Sequence, residues 1–206
     1  MNQSLLFDAE EIKLIADVEF FRAKARIMTK VRGMLDDLHA GLQEEVRTVD
    51  LLAPASFDRK KFQFVKGEHL EESPYQYLDF PKHFDGDDKL TFRSLFWWGH
   101  HVVFALILEG DALLRYKHNL INRYHLVAGR DLCLSLSSSP WEWKRGEGYT
   151  MPLGHDRKSQ VSAVLSGRRF FKLARFIPYE DPSIAAGRLA EIGREVLRSM
   201  LPVITP

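Results

Sequence analysis

The most strongly apolar stretch of the chain is His101–Glu109, which reads HVVFALILE. Successive side chains of a strand point to opposite faces, and here both alternating sets are apolar. Such a pattern is typical of a strand that is covered on both sides. A second β-rich run, residues 90–96, precedes it across the short segment WWGH. This spacing predicts a hairpin at the centre of a sheet.

Helical periodicity dominates the first fifty residues. Asp8 is followed by Ala-Glu-Glu, which is the composition of an N-cap and an acidic first turn. Apolar residues then recur at helical spacing: Ile12, Ile15, Val18, Phe20, Phe21, Ile27, Val31, Met34, Leu35, Leu38, Leu42 and Val46. This stripe predicts helices that cover a hydrophobic core. A similar stripe over residues 183–201 predicts a closing helix.

The rest of the chain alternates between short elements. The pattern predicts a helix that Asp111 caps and Gly129 ends, a half-buried strand over 132–137, an exposed loop over 141–149, a helix over 156–165 and a strand over 168–177. Residues 66–88 are acidic and interrupted by prolines, which favours a loop-rich stretch. The cluster Asp85-Gly86-Asp87-Asp88 has Phe96 at the twelfth position, where a calcium loop needs a glutamate. It therefore predicts a polar turn.

Length and composition indicate one α+β domain spanning residues 1–206, an antiparallel sheet flanked by N-terminal and C-terminal helices. There are no repeats and no long linker, and 29 basic residues balance 28 acidic ones. A near-neutral chain has no strong field with which to attract nucleic acid or an anionic membrane. The single cysteine, Cys133, excludes an internal disulfide. No signal peptide or membrane span is apparent, so we expect a cytoplasmic protein.

Two adjacent histidines, His100 and His101, are the first candidates for chemistry. Adjacent residues of a strand leave opposite faces and cannot chelate one ion together. No metal-binding motif accompanies them, so the sequence predicts no metal site and no cofactor. A single imidazole can still act as a general base. A hydrolase-like enzyme with one of these histidines as its base therefore stays open as an alternative.

A second group of candidates emerges when the strands are placed side by side. Tyr75, Tyr77 and Asp79 share one strand face, Arg93 lies on one face of the next strand, and Ser135 and Ser137 share the polar face of another. Tryptophans 97, 98, 141 and 143 could form walls around these groups. Convergent polar groups in an aromatic setting are typical of small-molecule pockets. The competing interpretation is that these faces are simply solvated.

The C-terminal part of the chain supplies a third hypothesis. Arg168, Arg169, Lys172 and Arg175 lie close together and alternate with phenylalanines, a composition found where proteins bind single-stranded nucleic acid. Strand alternation, however, divides these cations between two faces. Nucleic-acid association is therefore the weaker alternative.

Three segments resemble the YktB-like proteins, a family of uncharacterised bacterial proteins. These are FDAEEIKL with the following FFRAKARIMTKVRGMLDDL, the run LFWWGHHVVFALILE, and FKLARFIPYED before the closing helix. The resemblance implies an α+β fold with an antiparallel sheet flanked by helices. It implies no activity.

The leading hypothesis is a small-ligand-binding or partner-binding module, with catalytic residues unknown. Its predicted binding residues are Tyr75, Tyr77, Arg93, Trp97, Trp98, His100, His101 and Ser135, with Trp97 and Trp98 as a gate. The expected partner is a small molecule, with no role for a membrane. Ligand identity, oligomeric state and strand register stay open.

Overall fold

The computed structural model describes residues 6–206 and shows a single α+β domain built on one antiparallel sheet. The sheet has seven strands in the order β1-β2-β3-β4-β7-β5-β6. Their bounds are β1 Gln63–Leu70, β2 Ser73–Asp85, β3 Asp88–Trp97, β4 His101–Glu109, β5 Cys133–Ser135, β6 Thr150–Pro152 and β7 Phe170–Ile177. The predicted fold class is confirmed.

The helices are α1 Ala9–Ile15, α2 Val18–Arg47, α3 Leu113–Asn122, α4 Tyr124–Val127, α5 Lys158–Ser166, α6 Pro182–Ala185 and α7 Leu189–Ile204. Apart from α1, which buries none of its residues, the helices pack on one side of this sheet. Helices α2 and α7 pack against each other and share the main core with the sheet. A Cβ at Gly193 would lie 2.6 Å from Leu38 of α2 and 2.9 Å from Phe104 of β4. Glycine at this position therefore allows α7 to approach both layers closely.

The strand β4 lies at the centre of the sheet, and residues 101–108 are all buried. Val102, Phe104 and Leu106 belong to the core beneath the helices, whereas Val103 and Ala105 belong to a smaller cluster on the other side. The prediction of a strand covered on both sides is confirmed. We call the side away from the helices the aromatic face, because it carries Tyr75, Tyr77, Trp97 and His101.

The acidic stretch 66–88 is not a loop, as its composition suggested, but most of the hairpin β1–β2. Pro74 stands near the start of β2, and Pro81 lies where the β2–β3 register shifts between Asp79 and Lys82. Proline is tolerated at such positions because the ladder needs no N–H there. The cluster 85–88 is the turn between β2 and β3, as predicted.

The apolar stripe of the N-terminal helices covers the core only along its C-terminal part. Val31, Leu35, Leu38, Leu42 and Val46 are buried, but Ile12, Ile15, Val18, Phe20, Phe21 and Ile27 are exposed. A helix of 30 residues such as α2 is about 45 Å long. Its N-terminal part thus lies beyond the packed region, which makes the prediction of core burial wrong for these residues.

Three element boundaries also differ from the sequence pattern. Helix α3 begins at Leu113 without a side-chain cap, so Asp111 is not its N-cap. The strand predicted over 132–137 shortens to Cys133–Ser135, and the closing helix divides into α6 and α7. The helix over 156–165 and the strand over 168–177 are confirmed with slightly shorter bounds, as α5 and β7.

Candidate ligand-binding site

The register of β2 and β3 brings the predicted polar and aromatic residues to one place on the aromatic face. Tyr77 pairs with Leu95, and Asp79 pairs with Arg93. Tyr75 and Tyr77 lie on the same strand face, and their rings stack with centroids 6.1 Å apart. The sequence could show the alternation along β2 but not this pairing, because a shift of one residue would invert the face.

A buried ion pair holds the centre of this region. The guanidinium of Arg93 donates from Nε and Nη2 to the two carboxylate oxygens of Asp79, each at 2.7 Å. Both residues are buried, and Asp79 is fully inaccessible. Because a buried charge without a partner is costly, the two residues stabilise one another in this position. The Nη1 atom of Arg93 takes no part in these two hydrogen bonds.

Aromatic rings surround the Arg93 guanidinium. Its Cζ lies 3.7 Å from the ring centroid of Tyr77, 4.9 Å from that of Trp141 and 5.5 Å from that of Trp143. Cations attract the faces of aromatic rings within about 6 Å. Arg93 thus connects the strand face with the segment that carries the two tryptophans.

That segment, residues 136–149, is here called the tryptophan loop. Its part 141–149 was predicted to be an exposed loop. Trp141 is 41% exposed, but Trp143 is only 4% exposed and packs against the sheet. Arg168 donates to the carbonyls of Leu136 and Ser137 at the start of the loop. The loop therefore covers part of the aromatic face.

Two residues of the sheet hold the middle of the tryptophan loop through its backbone. Lys172 of β7 donates from Nζ to the carbonyl of Pro140 at 3.0 Å and to that of Glu142. Its Nζ also lies 4.1 Å from the ring centroid of Trp143. The Nε2 atom of His101 donates to the carbonyl of Trp143, at 3.1 Å. These contacts place Trp143 between Arg93 and Lys172.

Burial lowers the pKa values of both Lys172 and His101. It lowers the pKa of Lys172 to about 7, although the charge of Glu142 partly offsets the effect. It also lowers the pKa of His101 to about 4, so the imidazole is neutral at neutral pH and carries its proton on Nε2. Burial raises the pKa of Tyr77, while the charge of Arg93 opposes that shift. The tryptophan loop is thus held in part by a lysine that titrates near neutral pH.

The lowered pKa of Lys172 predicts a pH dependence of stability. The unfolded chain binds a proton at Lys172 up to a pKa near 10.5, whereas the folded chain releases it from about pH 7. The free energy of unfolding should therefore rise with pH across this window, by up to about 1.4 kcal/mol per pH unit. Urea unfolding of the wild type and of Lys172→Met at several pH values isolates this effect, because the two proteins share every other titratable group. Parallel pH curves would contradict the prediction.

The tryptophan loop and the strands β1, β2 and β3 border a small cavity that is open to solvent. Its volume is about 200 Å³, and its lining consists of Leu70, Tyr75, Tyr77, Arg93, Leu95, Trp141 and Trp143. Pockets for drug-sized ligands have volumes of about 300–1,000 Å³. This cavity is smaller, so it fits a single ring with a short substituent. We call it the aromatic pocket.

The structure brings together only part of the predicted site. Tyr75, Tyr77 and Arg93 line the aromatic pocket, as do Trp141 and Trp143 from the loop. Trp97 is buried beside the pocket and donates from Nε1 to the carbonyl of Leu70 at 2.9 Å, so it is a packed residue and not a gate. Trp98 is half-buried and lines no part of the pocket.

The other predicted residues lie outside the pocket. His100 is exposed and stacks on Trp97 with centroids 3.6 Å apart, and His101 contacts the loop backbone. Neither forms a hydrogen bond with a carboxylate or a nucleophile in the part of the chain that the structure describes. Ser135 is buried on β5. Strands β4 and β7 lie between β5 and β3, so β5 is about 14 Å from the strand that carries Arg93.

Three of the four cations of the nucleic-acid hypothesis contact other parts of the protein, whereas Arg169 is exposed. Lys172 is 2% exposed beneath the tryptophan loop, and Arg168 is bonded to its backbone. Arg175 forms ion pairs with Glu195 and Asp131. Sequence reasoning missed the role of Lys172 in holding the loop, because nothing local to β7 indicates a contact with carbonyls thirty residues away.

Residues 6–206 contain no cluster of three or more histidine, cysteine or acidic residues that could hold a metal ion. Within the same residues, no helix is both long and apolar enough to cross a bilayer. In comparisons with known proteins, no family model, no curated protein and no solved structure matches this chain. The resemblance to the YktB-like proteins therefore stays a prediction.

Proposed function

We propose that the protein binds a small planar molecule, an aromatic or heteroaromatic ring with a hydrogen-bond acceptor, in the aromatic pocket. The observation that carries this proposal is the Arg93 guanidinium, which is fixed by Asp79 and surrounded by the rings of Tyr77, Trp141 and Trp143. A flat ring can stack on such walls, because aromatic faces favour offset or edge contacts with another ring.

The hydrogen bonding of Arg93 favours a neutral acceptor on the ligand. Asp79 uses Nε and Nη2, which leaves Nη1 for a carbonyl or a ring nitrogen. The carboxylate of Asp79 already neutralises the guanidinium, so a ligand carboxylate would gain little. An amide or a heterocycle matches the pocket in size and in polarity.

The matched probes for this proposal are benzamide and cyclohexanecarboxamide, which share the amide acceptor and differ in the planarity of the ring. Benzamide should bind with a Kd on the order of 1 mM, which is about −4 kcal/mol and typical of a fragment. Cyclohexanecarboxamide should bind about fivefold or more weakly, because it cannot stack. Ligand-observed NMR and the change in tryptophan fluorescence measure both affinities.

The matched protein variants are Trp141→Ala and Tyr149→Ala. Both residues lie in the tryptophan loop with similar exposure, 41% and 39%, but only Trp141 lines the pocket. We expect Trp141→Ala to weaken benzamide binding about tenfold and Tyr149→Ala to leave it unchanged. Equal affinities for the two carboxamides, or equal losses in the two variants, would contradict the proposal. Mass spectrometry of small molecules released from untreated protein by unfolding would identify the natural ligand.

A further inference from the structure

Within the described residues 6–206, the segment 6–15, which contains helix α1, has no packing surface. None of the residues of α1 is buried, and Phe7, Ile12, Leu14 and Ile15 are each more than half exposed. A helix of seven residues is too short to be stable by itself in water. We call residues 6–15 the N-terminal arm, and its apolar side chains are exposed and available to pack against another surface.

A groove of suitable character lies between α2 and the edge strand β1. Its volume is about 790 Å³, and Met28, Leu35 and Phe64 supply apolar lining. Phe21 of α2, which also lines the groove, is 50% exposed, and Ile27 of the same helix is 41% exposed. Apolar surface concentrated at one place on a protein marks an interaction site.

The charges of the arm and of the groove are opposite. Three cations line the groove, Lys24, Arg32 and Lys66, against one carboxylate, Glu68. Lys24 is paired with Glu68 and Arg32 with Asp36, whereas Lys66 forms no ion pair within residues 6–206. The arm carries three carboxylates, Asp8, Glu10 and Glu11, against the single cation Lys13. Such complementarity favours association of the two surfaces and sets its orientation.

The arm does not reach the groove of its own chain. Only Ala16 and Asp17 connect α1 with α2, and the carboxylate of Asp17 accepts a hydrogen bond from the Phe20 N–H at 2.8 Å. This cap fixes the start of α2. The lining of the groove begins at Phe21, and no residue of the arm belongs to it.

We infer that the groove receives the N-terminal arm of a second copy of this chain. In a twofold arrangement each copy supplies one arm and one groove, so the same contact forms twice and both apolar surfaces are covered. The arm supplies apolar and acidic side chains, and the groove supplies an apolar floor with a basic rim. The result is a homodimer in which the two N-terminal arms are exchanged.

Charge reversal in full-length protein tests this inference. Sedimentation equilibrium should show the wild type as a dimer at micromolar concentration. The arm variant Glu10→Lys with Glu11→Lys and the groove variant Lys24→Glu with Lys66→Glu should each dimerise at least tenfold more weakly. A mixture of the two variants should form a heterodimer of near wild-type affinity, because each reversed arm then meets a reversed groove and each unchanged arm meets an unchanged groove.

The control variant Lys60→Glu with Lys61→Glu changes the charge by the same amount at exposed lysines outside the groove, and it should dimerise like the wild type. A wild type that stays monomeric at about 100 μM overturns the inference. So does a mixture in which dimerisation is not restored, or a wild type that is monomeric in solution and binds phospholipid vesicles through the arm. Circular dichroism of each variant verifies that the fold is retained.

Discussion

Replacing Asp79 by leucine should destabilise the protein by about 3–5 kcal/mol, because it leaves the Arg93 guanidinium buried without a counter-ion. Arg93 is only 7% exposed, and both of its hydrogen bonds to Asp79 are 2.7 Å long. Leucine has the same branched side chain of four heavy atoms but is bulkier than aspartate, so the substitution creates no cavity. Its added bulk is also present in the double variant Asp79→Leu with Arg93→Met, which therefore separates the uncompensated charge from overpacking. Guanidinium unfolding followed by circular dichroism measures the change.

The double variant Asp79→Leu with Arg93→Met distinguishes this cause from a general loss of packing. Without either charge the site becomes apolar, and replacing both members of a buried ion pair is often close to neutral. The double variant should therefore recover most of the stability that the single variant loses. A double variant at least as unstable as Asp79→Leu would show that the charge is not the cause.

A surface ion pair provides the matched control. Arg32 and Asp36 form an ion pair at 3.0 Å on α2, with both side chains about half exposed. Asp36→Ala should change the free energy of unfolding by no more than about 0.5 kcal/mol, because such pairs are weak in water. The contrast between Asp79 and Asp36 measures the effect of burial on the same chemical interaction.

Replacing Trp143 by alanine should cost about 3–5 kcal/mol and release the tryptophan loop from the sheet. Trp143 is 4% exposed, and its ring lies 4.1 Å from the Nζ of Lys172. Without the indole, that cation loses its aromatic partner and the aromatic face loses its cover. Hydrogen exchange of residues 136–149 should accelerate well beyond the effect of global destabilisation alone.

The neighbouring Trp141→Ala variant serves as the control for stability. Trp141 is 41% exposed, so its removal should cost only about 1 kcal/mol and leave hydrogen exchange in most of the loop unchanged. The two tryptophans then separate two roles, since Trp143 holds the loop and Trp141 forms a wall of the pocket. Similar exchange rates in the two variants would contradict this division.

Much of the fold followed from the pattern of apolar residues. The double-sided apolar pattern of His101–Glu109 predicted the central strand, and the stripes over α2 and α7 predicted helices on its surface. These features depend on which faces of a local element are apolar, and that information lies within a few neighbouring residues. The same local pattern also gave one wrong prediction. The apolar stripe continues into α1 and the start of α2, and there its side chains are exposed and not part of the core.

The binding site was only partly predictable for the same reason. Alternation along β2 placed Tyr75 and Tyr77 on one face, and the amino-acid sequence by itself determined that much. The pairing of Asp79 with Arg93 depends on the register between two strands, and the position of Trp141 and Trp143 depends on Lys172 and His101 holding a distant loop. Only the tertiary structure decided these contacts, because they join residues far apart in the chain whose interaction no local pattern encodes. For the same reason the sequence could not predict the role of Lys172. Lysine is usually exposed, but here it is buried and holds the loop that forms one wall of the aromatic pocket.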